Sequence, residues 1–450
     1  MTKWIIPLGA ALLISAMAAG QAQNPATKAF TFTEVDLKLL DEVELLEQQF
    51  EKRGLVYNNP ELTAFLQGIG DRLLGQTGPE ERVRWRFHVL RDPMINAFAL
   101  PSGAIYFNSG LLALLEDESQ LASVAAHEIT HVTSRHTYYF NRSIRKKMVV
   151  MHILAAAGSA GGYMPAGSVF GLTLQLASAV SQVVLTATIF GYSQDQERDA
   201  DRIGLDLLSG ARYDPQAMPR TLKLLDEKLE AEPVQTFYRT HPKLVERTSY
   251  TSGMAAAKAV ADLRTTPVSD YLGHVEGVIR YNVEADISSR RYRTAVARAS
   301  RLTAWKPEDA VFMSVLANAY RELGPRTAEP TERELSGRGQ SDARRRLVGR
   351  TVEEDERDLL ASSPGKEAAK ANEEKAERLY REAISRNPEL AEPHRGLGML
   401  FEDQGRVQEA ADEYKEYLRL APSAIDRLRI ERRIEGLQKP QLIAPPGQDD

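Results

Sequence analysis

The sequence of 450 residues contains no cysteine. It can form no disulfide, offers no thiolate to a metal, has no cysteine nucleophile and carries no cysteine-linked lipid anchor. Any metal must be held by His, Asp or Glu. Strong net charge is also missing, since 57 Lys and Arg against 62 Asp and Glu leave −5. That balance provides no broad basic surface for a phosphate backbone, and no nucleic acid partner is expected. A third lack is local: residues 148–192 contain no Asp, Glu, Lys or Arg. The many Gly, Ala, Ser, Thr and Gln there suit a buried or groove-lining helical hairpin of a soluble domain. Two membrane-dipping helices would share that composition, which leaves peripheral membrane contact open. The remaining composition is that of a globular protein, 43% hydrophobic and 26% charged, and excludes a mostly disordered chain or a many-span membrane protein. A single core stops growing near roughly 250–300 residues, so two or more domains are expected.

Residues 1–22 place one Lys before an apolar run, followed by small residues, the pattern of a secretory signal with cuts after Ala18 or Ala22. Apolar residues then recur at three and four (Leu37, Leu40, Val43, Leu46; Leu62, Phe65, Ile69, Leu73), predicting two amphipathic helices broken at Asn58–Pro60. Val83 to Leu90 alternates, and Ala97–Leu100 and Ile105–Asn108 flank a Pro101-Ser102-Gly103 turn, which predicts a small sheet with a hairpin. A helix is expected from Leu111 through His131 and beyond. The first domain is thus α+β, over residues 35–260.

Within that long helix lies His127-Glu128-Ile129-Thr130-His131. Four residues are close to one helical turn, so both imidazoles leave one face about 5–6 Å apart and can grip one zinc ion, with Glu128 beside them to polarise a water. Catalytic zinc takes a third protein ligand. Glu197, in the run Ser193 to Asp201, is a candidate by spacing; Glu118 and Asp195 compete with it. Ala200, Ile203, Leu207 and Leu208 give this second helix its buried face, and Asp201 shares a face with Glu197, where it could accept the second ring N–H of a ligand histidine.

HEITH followed by Val132-Thr133-Ser134-Arg135-His136, the Ser-x-x-x-Glu-x-x-Ala-Asp run at 193–201, and Thr240-His241-Pro242 with Arg247 resemble the HtpX/CAAX-prenyl-protease family of zinc peptidases. Asn96, Ala97, Phe98 and Ala99, leading into Leu100-Pro101-Ser102-Gly103, resemble the family's substrate strand. The resemblance covers roughly residues 35–250. It implies a zincin-type fold, one Zn2+ on His127, His131 and Glu197, Glu128 as general base and Asp201 in support. Gln194, where many members carry Arg, departs from the pattern. His241 is the candidate for a second electrophile on the developing oxyanion or, as the resemblance also allows, a gate over the zinc; Tyr238 and Arg247 are weaker candidates. His136 is read as a packed group behind the ligands. A sheet-edge strand at 96–100 could pair with an extended peptide whatever its sequence.

Pro307, Pro388 and Pro422 frame the rest: 422 − 388 is 34, the tetratricopeptide period, and 388 − 307 is 34 plus 47. Leu397, Gly398, Phe401, Gly405, Ala410 and Tyr414 occupy the positions such a helical pair needs; Ala376, Tyr380 and Ala383, and then Ala295, Ala299 and Leu302, repeat the register. An all-α repeat domain is expected over 268–438, with an insertion at 325–371 splitting one repeat and a disordered tail at 439–450. A peptidase of this family joined to such repeats after a signal is similar to the BepA-type periplasmic proteins. That likeness implies periplasmic work on unfolded or misassembled envelope proteins, with the repeats docking clients or the outer-membrane protein assembly machinery. A chaperone or scaffold with a closed zinc site and a membrane-embedded protease are the alternatives.

Overall fold

A computed structural model of the chain describes residues 30–77, 83–143, 192–231, 243–258, 260–324 and 363–438. The expected signal, nearly all of the uncharged stretch, His241 with its loop, most of the insertion and the tail lie outside the described residues.

Helices α1 (Glu34–Lys52) and α2 (Pro60–Leu74) form as the spacing predicts, with Pro60 at the first turn of α2 and the Asn59 side chain accepting the Leu62 N–H at 3.0 Å. The inward face of α1 keeps the expected Val43 and Leu46 but is completed by Leu39 and Phe50; Leu40 is half-buried and Leu37 exposed. The sheet has order β1-β3-β2, with β1 (Arg86–Leu90) parallel and β2 (Ala97–Ala99) antiparallel to β3 (Ala104–Asn108). Pro101-Ser102-Gly103 closes the hairpin, and Gly103 supplies the positive φ of 95°. Strand pairing begins at Arg86, not Val83, although Arg84 N already donates to Ser102 O at 2.8 Å.

The single helix expected from Leu111 is two, α3 (Ser109–Leu114) and α4 (Glu118–Thr133). Asp117 stands between them in extended geometry and caps α4, its carboxylate accepting the Gln120 N–H at 2.7 Å. A capping aspartate restarts the helix at a new angle, which an apolar count along the sequence does not register. Beyond α4, Arg135 adopts φ 57° and residues 136–143 are helical again.

Helices α5 (Gln194–Gly210), α6 (Ala217–Ala231) and α7 (Leu244–Ala256) complete this half; α5 and α6 pack on α4, and α7 packs on α5 and α6. Helical pairs follow: α8 (Val268–Ser288) with α9 (Tyr292–Trp305), α10 (Ala310–Leu323) with α11 (Ser363–Arg386), and α12 (Ala391–Asp403) with α13 (Val407–Leu420), then α14 (Arg427–Gln438). Pro307, Pro388 and Pro422 each lie two residues past the second helix of a pair. Small residues meet large rings between these helices: a Cβ on Gly398 would sit 2.5 Å from the Tyr414 ring. Helix α11 starts at Ser363, so Ser363–Ala371, allotted above to the insertion, are helical.

The expected boundary between 260 and 268 is not a break in packing. Tyr271, Val275, Val278 and Ile279 of α8, with Leu302 and Phe312, share one apolar cluster with Leu111, Leu112 and Leu121. Tyr271 Oη donates to Leu112 O and Asn282 Nδ2 to Ser109 O, both at 2.8 Å. The first repeat is therefore part of the core that carries α3 and α4. Among the described residues no helix is long and apolar enough to cross a membrane.

Candidate metal centre

Helix α4 is buried from Gln120 to Val132, which is unusual for a segment holding two His and a Glu. His127 and His131 lie one turn apart and their Nε2 atoms converge to 3.0 Å. Helix α5 brings Glu197 against them, with Oε2 3.6 Å from His127 Nε2 and Oε1 3.5 Å from His131 Nε2. This close approach of α5 to α4 occurs at Gly204, where a Cβ would lie 3.4 Å from the backbone of Ala126 and His127. One potential ligand atom from each of the three residues falls within 4.8 Å of the others, the one such cluster among the described residues.

Behind the cluster stands a buried charge network. Asp201 Oδ1 is 3.0 Å from His127 Nδ1. Arg247 of α7 donates to both Asp201 oxygens, at 2.7 and 2.9 Å, and reaches Glu197 Oε2 at 2.6 Å; Tyr250 Oη also donates to Asp201. Burial alone would raise the Asp201 pKa, but the Arg247 guanidinium and the hydrogen bond to His127 hold it well below the usual carboxylate range. Burial and the Asp201 charge push the Tyr250 hydroxyl up. On the other side His136 Nδ1 is 2.9 Å from His131 Nδ1, and burial lowers the His136 pKa to about 4. Tyr192 stacks on the His131 ring, 3.8 Å between centroids and 19° between planes.

Glu128 is 1% exposed and lines a small, partly open cavity with Ser123, Val124, Met218, Leu222 and Leu225. Of the competing acids, Glu118 is engaged by Arg72 and Tyr213 at 2.7 Å each, and Asp195 is exposed. Gln194 is exposed as well. Asn96, Ala97, Phe98 and Ala99 are buried on or beside β2, an outer strand of the sheet that packs on α4. His241 and Tyr238 lie outside the described residues. Tyr192 and Tyr250 escaped the sequence reading. Tyr250 follows Arg247 by three residues on one helix, a spacing that could have revealed it; Tyr192 follows no periodicity and had no such signal.

Two imidazole nitrogens and a carboxylate, all buried, suit zinc better than a hard cation that demands oxygen alone. Both Nδ1 atoms are engaged from behind, by Asp201 and His136, and so both Nε2 atoms face the common centre. The residues present fit the ion that the donor set implies.

Residues 60–255 match the model of Peptidase family M48, and residues 370–425 that of a tetratricopeptide repeat. The chain thus carries a Peptidase M48 domain followed by tetratricopeptide repeats. Similar proteins include the beta-barrel assembly-enhancing protease of Escherichia coli (strain K12), 32% identical over 204 residues, covering 43% of this chain and 39% of that one. The putative beta-barrel assembly-enhancing protease of Vibrio cholerae is 30% identical over 51% of this chain and 47% of its own. A mitochondrial metalloendopeptidase OMA1, of Schizosaccharomyces pombe, is 30% identical over 41% of this chain and 50% of its own. The matched region spans half or less of each of these relatives.

Proposed function

We propose that the protein is a zinc-dependent endopeptidase of the bacterial periplasm that cleaves misfolded or stalled envelope proteins. Its repeats dock clients or the outer-membrane protein assembly machinery. The observation that carries this reading is the convergence of His127, His131 and Glu197 within 4.8 Å beside the buried Glu128. The names of the similar proteins, a beta-barrel assembly-enhancing protease and a metalloendopeptidase, support it.

His127, His131 and Glu197 would hold the zinc, which when bound supplies Lewis acidity to a substrate carbonyl and lowers the pKa of a water. Glu128 accepts the proton from the attacking water and returns it to the leaving amine. Asp201, held ionised by Arg247, fixes the ring of His127. The cavity beside Glu128 takes a substrate side chain, and the strand at 96–100 pairs with an extended peptide backbone, which favours unfolded segments over any one sequence. His241 either holds charge on the carbonyl oxygen or gates the centre.

Elemental analysis of the full chain, purified without chelator or detergent, together with casein hydrolysis by wild type, Glu128→Gln and His241→Ala, tests the reading. One zinc per chain is expected in all three, with turnover by Glu128→Gln down at least about a hundredfold, the lower range for a general base. Turnover rises in His241→Ala if that residue gates and falls if it is an electrophile. Wild type without zinc, or Glu128→Gln with full turnover, would sink the proposal; full cellular activity of Glu128→Gln would favour a scaffold.

A further inference from the structure

The two histidines of the centre are backed by unlike groups. Behind His127 stands a carboxylate, Asp201, at 3.0 Å, bound in turn by Arg247. Behind His131 stands a second imidazole, with the Nδ1 atoms of His131 and His136 2.9 Å apart. If His131 Nε2 ligates a cation it carries no hydrogen, so the ring proton is on Nδ1. Only an unprotonated Nδ1 opposite can accept it, since two N–H groups cannot share one hydrogen bond. His136 is then neutral, with its own proton on Nε2.

We infer that His136 is a positioning residue, a neutral hydrogen-bond acceptor that fixes the tautomer and orientation of His131 and so sets how tightly the chain holds its metal. The inference rests on the zinc reading proposed above and extends it to a residue that touches no substrate. In a continuous helix a residue five places on lies about 140° around the axis and cannot meet the earlier ring. The chain leaves helical geometry at Ser134–Arg135, where Arg135 takes φ 57°, and this turn folds His136 back onto His131. Tyr192 covers a face of the same ring, and its hydroxyl lies 3.0 Å from Thr137 Oγ1. One hydrogen bond and one stacked ring thus leave the His131 imidazole a single orientation.

A neutral backing group also suits the local charge. A carboxylate in place of His136 would leave an uncompensated buried charge.

The test uses the full chain as wild type, His136→Asn and His136→Leu. The Asn carboxamide oxygen can occupy the position of Nδ1 and accept the same hydrogen, whereas Leu fills similar space and cannot. Zinc affinity is read by competition with a chromophoric chelator, and ring protonation of the zinc-loaded wild type by nitrogen-15 NMR of labelled histidines. Weakening of about 10–100-fold is expected in His136→Leu, the range for lost partners behind a metal ligand, with most of the affinity restored in His136→Asn. The spectrum should show His131 protonated on Nδ1 and His136 on Nε2. Equal affinity of His136→Leu and wild type, no advantage of Asn over Leu, or a proton on His136 Nδ1 would each overturn the inference while leaving the zinc centre standing. Wild type that binds no zinc would overturn both. If His136→Leu fails to fold, the protonation pattern of wild type decides.

Discussion

The metal centre and the repeat stack use charge in opposite ways. Around the centre, Glu197, Asp201 and Arg247 are at most 4% exposed and each ionic group depends on the others. In the repeats buried positions include Ala376, Tyr380, Ala383, Ala410 and Tyr414, while ion pairs such as Lys370 with Glu374 lie at the surface. Beyond the first repeat, where Asp286 is buried between Arg291 and Arg298, the packing of apolar side chains and rings holds the repeats together, and a modest change at their surface is easily absorbed. A buried network tolerates no missing member, because removing one partner leaves a desolvated charge uncompensated. The first repeat belongs to the metal-centre side of this contrast, since α8 shares the core beneath α3 and α4.

The largest effect should come from separating what the core joins. A chain ending at residue 263 would uncover Leu111, Leu112 and Leu121 and leave Ser109 O and Leu112 O without Asn282 and Tyr271; it is expected to be insoluble or unfolded by circular dichroism. A chain ending at residue 389 keeps α8 to α11 and should fold and bind zinc. Two well-folded products would erase the contrast. Next in size is a matched pair of substitutions. Arg247→Met strands two buried carboxylates and should cost about 3–5 kcal/mol in urea unfolding of the metal-free chain. Lys370→Ala removes one exposed pair, with Glu374, and should cost under about 1 kcal/mol. Similar losses would show that burial does not set the difference.

The smallest effect concerns pH. His88 of β1 stacks on Tyr106 and burial lowers its pKa to about 4, from 6.5. The unfolded chain then takes up a proton between those values that the folded chain refuses, so His88 costs nothing above pH 6.5 and costs stability increasingly as pH falls towards about 4. His88→Phe should flatten that decline in midpoint temperatures measured from pH 7.5 to 4.5, with little change at pH 7.5. An unchanged slope would refute this assignment.

Much of this architecture was legible along the chain because it depends on near neighbours. Asn59-Pro60 starts α2, Pro101-Ser102-Gly103 turns β2 into β3, and the prolines at 307, 388 and 422 mark the ends of helical pairs. Where the reading slipped, a local rule met a competing local event. Asp117 cut one apolar run into two helices, and α1 buried Leu39 and Phe50 where Leu37 had been expected. The acid beside the histidines illustrates the limit of spacing, which made Glu197 the leading candidate but left Glu118 and Asp195 in competition with it. Glu118 pairs with Arg72 and Asp195 faces solvent.

The sequence by itself determined that His127 and His131 share one face of one helix, since an interval of four residues is a property of the helix alone. Only the tertiary structure decided that Glu197 meets them, that Asp201 and His136 back them, and that α8 joins their core. Those contacts join residues far apart in the chain or across a turn, and they form because burying the apolar faces of α4, α5, α7 and α8 together leaves the polar groups between them no partners but one another.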